Sequence, residues 1–335
     1  MTTTVNPCLR RRFRHCPLPA LGVFLAGLFL LCASLPTPSA AGAPAPRKER
    51  LVVMGGPITE IVFALGAEGD VVAVDRTSLY PERAKTFPQV GIYRAISAEG
   101  VLSVRPTKII SGSGLGPPAA VKQLKSSRVP LVIVENPRSE ETLFAAIKTL
   151  GREVSREKEA VALIEEIQAK FAKVRSLTAG RKPPSVAFLM GMAGATSAAG
   201  TETQADGIIK MAGGRNIFSE FRGYKQVSEE ALLKARPDII LVASHTRKGD
   251  LSAPAEPRKF LKRFGFKSAD LLEKTKCVPI DMGEFLIIGP RAGDTTLRLA
   301  KIFYGLDGQP PAPAANDTVE CSPRALSRAL AICNL

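Results

Sequence analysis

The sequence predicts an α/β protein of two similar lobes, each a mainly parallel sheet flanked by helices, joined by one long rigid helix. Three observations lead to this fold class. The chain has 335 residues, more than a single core of ordinary size holds. Short apolar strands alternate with helical stretches in both halves. A motif of the first half also returns in the second.

Strands and helices alternate in the same way along both halves. The predicted strands are Leu51 to Met54, Val71 to Asp75, Lys108 to Ser111 and Leu131 to Val134, then Ser185 to Met190, Ile239 to Ala243 and Cys277 to Asp281. Helices of the second half are expected around Ala205 to Ala212, Ser228 to Lys234 and Thr295 to Tyr304. Because helical stretches separate the strands, each sheet should be mainly parallel.

The repeated motif is a short helix, a turn marked by proline and a strand. Ser97 to Leu102 leads to Arg105 to Ile109, and Ser228 to Leu233 leads to Arg236 to Ile240. The two copies lie 131 residues apart at every step. Each begins with a serine that can cap the helix and has an acid in the first turn, so two lobes of one design are predicted.

Ser155 to Thr178 contains neither Gly nor Pro and is expected to form the helix between the lobes. Apolar residues recur along it at spacings of four and three, and they are Ala160, Ile164, Ile167, Phe171 and Val174. Such a helix is about 36 Å long and should permit only modest lobe movement. A coiled-coil dimer is the rival explanation. The predicted limits are 44–150 for the N-terminal lobe, 151–180 for the helix, 181–305 for the C-terminal lobe and 306–335 for a tail rich in Pro and Ala.

Residues 1–43 are expected to be an export signal. Four arginines between positions 10 and 14 precede an uncharged stretch from Ala20 to Leu35, and small residues permit cleavage near Ala41 or Ala43. A retained membrane anchor is the alternative, but the stretch is short for a spanning helix. Export by the Sec or the twin-arginine route stays open.

Composition and charge exclude several classes of function. The net charge is +15, but aromatic residues are not interleaved with the basic ones, so nucleic acid is not an expected partner. An anionic small ligand, an anionic membrane surface or simple solubility accounts for the charge. Two histidines are too few for a poly-histidine metal site. No set of acid, base and nucleophile stands out, so no enzyme is predicted. Cys321 and Cys333 suit a disulfide in an oxidising compartment, with Cys277 left free.

Several segments resemble the periplasmic heme-binding proteins of ABC-type heme importers. They are Asp75 to Pro81, Val90 to Arg94 with the helix that follows, Gly116 to Pro118, Gly213 to Asn216 and Gly223 to Lys225. The likeness extends from about Leu51 to Tyr304. It implies a monomeric periplasmic protein that captures heme between its lobes and delivers it to an ABC permease in the inner membrane. The wider class binds cobalamin and ferric siderophores, which stay alternative ligands; a membrane-tethered scaffold and an enzyme are further alternatives.

Tyr80 is the expected ligand of the heme iron. It follows a strand that ends near Asp75, at the edge where open α/β sheets place their ligands. A phenolate suits Fe(III) as a hard anionic donor. Because the ordinary pKa of tyrosine is about 10, nearby positive charge must favour the phenolate. Arg76 and Arg94 are the candidates, and either suits a heme propionate equally well. Without the resemblance, Tyr80 is a packed loop residue.

Other cleft residues follow from the same resemblance. Tyr93 is expected to stack on the porphyrin or to support Tyr80, and Arg291 to bind a propionate. Met192 is expected to face the porphyrin or to bind iron weakly. An ordinary loop aromatic and an apolar wall are the alternatives for Tyr93 and Met192. His245 is interpreted as a solvated loop histidine, so five-coordinate heme is predicted.

Glu99 and Glu230 occupy matching places in the repeated motif. The resemblance implies that each carboxylate docks onto basic residues of the permease. The alternative is that each acid only interacts favourably with the dipole of its own helix.

Overall fold

The computed structural model describes residues 49–192, 195–244, 257–263, 265–268 and 273–306. Several sequence expectations lie outside this part of the chain: the export signal at 1–43, His245, and the tail with Cys321 and Cys333. Met192 ends a strand, and its side chain is also outside the described part.

The N-terminal lobe is a parallel sheet with helices on both faces. In chain order its elements are β1 (Leu51–Met54), α1 (Gly56–Ala64), β2 (Val71–Val74), β3 (Gly91–Ile92), β4 (Ala95–Ile96), α2 (Ala98–Ser103), β5 (Lys108–Gly112), α3 (Pro118–Ser126), β6 (Leu131–Val134) and α4 (Glu140–Glu153). The sheet has the order β2-β1-β5-β6, and all neighbours are parallel. Strands β3 and β4 form a separate antiparallel hairpin.

The C-terminal lobe repeats this plan and adds antiparallel strands. After α5 (Glu157–Thr178), its elements are β7 (Ser185–Met192), β8 (Ala195–Ala199), α6 (Gln204–Met211), β9 (Arg215–Asn216), β10 (Tyr224–Gln226), α7 (Glu229–Ala235), β11 (Ile239–Ser244), α8 (Pro257–Arg263), β12 (Lys276–Ile280), α9 (Met282–Phe285) and α10 (Ala292–Phe303). The order is β10-β8-β7-β11-β12, with β9 beside β7. Strands β8 and β10 run antiparallel to their neighbours. The predicted α/β fold class is confirmed.

Strand β1 is apolar at every position because both faces of its sheet are covered. Leu51 and Val53 pack in one core cluster, while Val52 and Met54 pack in another on the opposite face. All four side chains are fully buried. A continuous apolar run of this kind is typical of strands in parallel sheets, which need helices on both faces.

Helix α5 connects the lobes and packs against a helix of each. The apolar face predicted from its spacing is confirmed: the buried residues are Ala160, Ile164, Ile167, Phe171 and Val174. Ion pairs extend the contact, with Arg175 2.8 Å from Glu140 of α4 and Lys170 2.8 Å from Asp294 of α10. At 22 residues, α5 is about 33 Å long. Within the described part of the chain, no helix has both the length and the apolar character needed to cross a membrane.

The repeated motif has the same backbone in both lobes. The Ser97 hydroxyl accepts the backbone N–H of Gly100 at the start of α2, and the Ser228 hydroxyl accepts that of Ala231 at the start of α7. After each helix an arginine adopts the left-handed conformation, with φ of 50° at Arg105 and 46° at Arg236. The echo in the sequence therefore corresponds to a repeated structural unit.

The two lobes belong to one compact unit and share a continuous apolar core. A close backbone approach also joins them, since a Cβ on Gly207 of α6 would collide with the carbonyl oxygen of Arg138 after β6. Phe188 of β7 stacks on Phe285 of α9 with ring centroids 5.5 Å apart, in the part of this core that belongs to the C-terminal lobe. The limits predicted for the individual lobes stay predictions.

Candidate functional site

The candidate site lies at the carboxyl edge of the N-terminal sheet, where it faces the C-terminal lobe. Tyr80 is on the loop after β2, and Tyr93 and Arg94 form the tip of the β3–β4 hairpin. The carboxyl ends of parallel strands meet at one edge, so the topology brings these loops together. Arg291, at the start of α10, reaches this edge from the other lobe.

Asp75 holds the loop that carries Tyr80. Its carboxylate is fully buried and accepts the backbone N–H of Gly55 at 2.8 Å and that of Thr77 at 2.9 Å. It also accepts the hydroxyl of Ser78 at 2.6 Å, which is 2.6 Å from the hydroxyl of Thr59 on α1. These bonds satisfy buried donors that would otherwise be costly, and they tie the loop to the first turn of α1.

Tyr80 is exposed, with 44% of its surface accessible, and its ring lies against a cation from the opposite lobe. The guanidinium carbon of Arg291 is 3.9 Å from the centroid of the ring. This is the geometry of a cation–π contact. The positive charge that a phenolate needs is therefore supplied by Arg291.

Arg291 is itself held by Glu60, a buried acid of α1. Its Nε donates to Glu60 Oε2 at 3.1 Å, and a terminal nitrogen donates to Oε1. Glu60 is only 4% exposed. Burial raises the pKa of Glu60 to about 7, although the contact with Arg291 lowers it, and the charge of Glu284 adds to the increase. Because its guanidinium is already paired in two places, Arg291 is better placed to act on Tyr80 than to bind a propionate, a role that stays a prediction.

Arg76 and Arg94 are both exposed beside Tyr80. The backbone N–H of Arg76 donates to the carbonyl of Gly91 at 2.7 Å, which fastens the Tyr80 loop to the β3–β4 hairpin. The guanidinium carbon of Arg94 is 5.0 Å from the centroid of the Tyr93 ring. Within the described residues, neither arginine has an ion pair.

Tyr93 is 7% exposed and packs in the core cluster on one face of the N-terminal sheet. Its ring supports Arg94 from behind. The placement favours a supporting role for Tyr93, and stacking on a ligand stays a prediction.

A small cavity adjoins Tyr80 on the side of α1. Its volume is about 190 Å³, below the range of about 300–1,000 Å³ typical of pockets for drug-sized ligands. It is lined by Glu60, Phe63, Ala64, Glu68, Tyr80, Pro81, Arg83 and Pro290. A ligand of porphyrin size must therefore lie on the open side of the Tyr80 ring.

Glu60 and Tyr224 belong to this region and were not predicted from the sequence. A carboxylate within the apolar helix Gly56–Ala64 was the available signal for Glu60, because a buried acid requires a partner. Tyr224 is an exposed aromatic residue of β10 whose surroundings include the charge of Arg94. It lies within one of the segments that carried the resemblance, which was its only signal.

Glu99 and Glu230 are exposed at the second position of α2 and α7, respectively. Within the described residues, neither carboxylate has a hydrogen-bond partner or an ion pair. The neighbouring Glu229 differs, because its carboxylate accepts the backbone N–H of Lys267 at 2.6 Å. The structure thus presents one unengaged acid on each lobe at equivalent places.

Comparison with known proteins gives a consistent match. The family model described as periplasmic binding protein matches residues 51–278. Among curated proteins, the vitamin B12-binding protein of Yersinia pestis (strain Pestoides F) is 26% identical over 201 residues, which are 60% of this chain and 71% of that protein.

Solved structures are similar over a larger part of the chain. The periplasmic heme-binding protein RhuT from Roseiflexus sp. RS-1, in its apo form, is 32% identical with a TM-score of 0.68, and the match covers 77% of this chain and 98% of RhuT. A periplasmic heme-binding protein from Pseudomonas aeruginosa is 29% identical with a TM-score of 0.67, and the match covers 79% of this chain and 95% of that protein.

Proposed function

Because the chain belongs to the periplasmic binding protein family, we propose that it captures heme between its lobes, binds the ferric iron through Tyr80 and delivers the heme to an ABC-type permease. Proteins of this family are binding components of transport systems, not enzymes. The names of the similar solved structures support heme as the ligand.

One observation carries the proposal: an exposed tyrosine faces an arginine of the opposite lobe at 3.9 Å. Phenolate oxygen is an established axial ligand of ferric heme. A guanidinium over the ring favours the ionised form by attraction, without competing as a ligand, because arginine stays protonated. Buried Glu60 fixes the guanidinium in place, and the Asp75 network fixes the loop of Tyr80.

Cobalamin is the second candidate, because curated relatives include vitamin B12-binding proteins. Its central cobalt is already enclosed by the corrin ring, and neutral amides replace most of the carboxylates that a heme would present to Arg76 and Arg94. Two exposed arginines without ion pairs among the described residues favour a ligand with free carboxylates.

The test is a titration of the purified protein with hemin and, separately, with cyanocobalamin. We expect a shifted Soret band that saturates with hemin, and no saturable change with cyanocobalamin. Tyr80→Phe should abolish the charge-transfer bands of a ferric phenolate complex and weaken hemin binding by at least about tenfold.

Tyr304→Phe is the matched control. The Tyr304 hydroxyl donates to the carbonyl of Gly213, next to Arg215, which pairs with the first residue of β7 at the sheet edge away from the cleft. This variant should retain the hemin spectrum of the wild type. A Tyr80→Phe protein with wild-type bands and affinity would show that another residue binds the iron.

A further inference from the structure

Tyr224 of the C-terminal lobe faces the same cleft as the N-terminal site and is held from behind by aromatic packing. Its ring packs edge-on against Phe188 with centroids 6.4 Å apart, and Phe188 in turn stacks on Phe285. Phe188 and Phe285 are buried, whereas 38% of the Tyr224 surface is accessible. Strand β10 is antiparallel to β8, with Tyr224 opposite Ala199, so the backbone on this side is fixed as well.

The phenol of Tyr224 keeps its proton at neutral pH. Burial raises its pKa to about 12, and the neighbouring hydroxyl of Thr203 and the charge of Arg94 lower it only in part. A protonated phenol donates a hydrogen bond but is not an anionic ligand for Fe(III). Tyr224 therefore differs in chemistry from the metal-binding role proposed for Tyr80.

Arg94 supplies a cation on the opposite side. Its guanidinium rests on the Tyr93 ring, and its terminal nitrogen would lie 3.5 Å from a Cβ on Gly114. Gly114 has a φ of +93°, which other residues rarely adopt, so this place beside the guanidinium remains open. No carboxylate pairs with Arg94 among the described residues, although its charge reaches Tyr224 across the cleft.

We propose that Arg94 and Tyr224 together bind one carboxylate of the ligand, the guanidinium as the charged donor and the phenol as the neutral donor, from opposite lobes. The inference rests on the proposed function, in which that carboxylate is a heme propionate. Two donors that converge from different lobes fix the rotation of the porphyrin about the iron ligand. They also connect the lobes through the ligand, so that only the loaded protein has this bridge.

The experiment compares hemin with hemin dimethyl ester, in which both propionates are neutral esters. We expect Tyr224→Phe to weaken hemin binding about tenfold, the effect of one hydrogen bond to a charged group. The affinity for the dimethyl ester should change less than about twofold, and the absorption bands should not change. Phe retains the ring against Phe188, so the fold is kept. Arg94→Gln should show the same dependence on the ligand.

A double-variant cycle and a control complete the design. Because both residues act on one carboxylate, Arg94→Gln/Tyr224→Phe should lose less affinity for hemin than the two single losses combined. Tyr304→Phe should bind both ligands as the wild type does. An equal loss of both ligands in Tyr224→Phe, a change in its absorption bands, or undiminished hemin binding would each overturn the inference. Wild-type protein that does not bind hemin would instead refute the proposed function together with the inference.

Discussion

The guanidinium of Arg291 lies 3.9 Å from the centroid of the Tyr80 ring, and the two residues belong to opposite lobes. The cleft contains a second pair in the reverse sense, because Arg94 of the N-terminal lobe is close to Tyr224 of the C-terminal lobe. In each pair one lobe contributes a phenol and the other a cation. Both pairs therefore depend on how the lobes are joined, which α5 and the shared core determine.

Replacement of Arg291 by Met tests whether the cation supports the iron ligand. We expect hemin affinity to fall about tenfold, because the phenolate loses the adjacent positive charge. The single variant also leaves Glu60 buried without its partner, which should cost about 3–5 kcal/mol of stability. Glu60→Gln/Arg291→Met removes this buried charge, so its melting temperature should recover while hemin affinity stays low.

Arg83→Met is the matched control for this experiment. Arg83 is an exposed cation 3.0 Å from Glu68 and lines the cavity beside Tyr80, but it does not lie over the ring. Its removal should leave hemin affinity within about twofold, because an exposed ion pair contributes little. If the double variant bound hemin as tightly as the wild type, the charge of Arg291 would have no role in binding.

Charge reversal of Glu99 and Glu230 tests the proposed docking of the loaded protein. We expect Glu99→Lys/Glu230→Lys to bind hemin normally but to reduce heme uptake through the permease by at least about tenfold, because like charges then oppose each other. Uptake is measured in cells that carry the matching permease and use hemin as their iron source. Each single variant should have a smaller effect.

Glu165→Lys provides the control for the docking acids. Glu165 is exposed on α5, away from both capped helices, and reversal of its charge changes the net charge by the same amount as either single variant. Its uptake should equal that of the wild type. Normal uptake in the double variant would leave the two acids with only a role in their own helices.

Much of the fold could be predicted because its signals are local. The spacing of five apolar residues identified the buried face of α5, and apolar runs located β1 and β6 to the residue. The repeated motif was visible because a capping serine, a left-handed residue and a proline leave marks in the sequence. Arg105 and Arg236 show that the likeness extends to backbone angles.

The antiparallel strands and the pairs across the cleft could not be predicted in the same way. Strand β8 has the sequence ATSAA, which lacks the run of β-branched and aromatic residues that marks a strand, so the partner of Tyr224 was missed. Glu60 and Arg291 are 231 residues apart, and no periodicity connects them. Contacts between lobes arise from packing, and the sequence records only that each lobe has apolar faces.

Burial of Glu60 predicts a pH dependence of stability that can be isolated by substitution. Its pKa is raised from 4.5 to about 7, so the folded protein binds this proton more tightly than the unfolded chain. The contribution of Glu60 is therefore complete below about pH 4.5 and is lost as the pH rises through about 7, a decrease of up to about 3 kcal/mol in the free energy of unfolding. Urea denaturation at a series of pH values should show this decrease in the wild type and its absence in Glu60→Gln. Glu82→Gln, which removes an exposed carboxylate 2.7 Å from Lys85, should retain the wild-type slope. Parallel curves for Glu60→Gln and the wild type would mean that Arg291 keeps Glu60 ionised throughout this range.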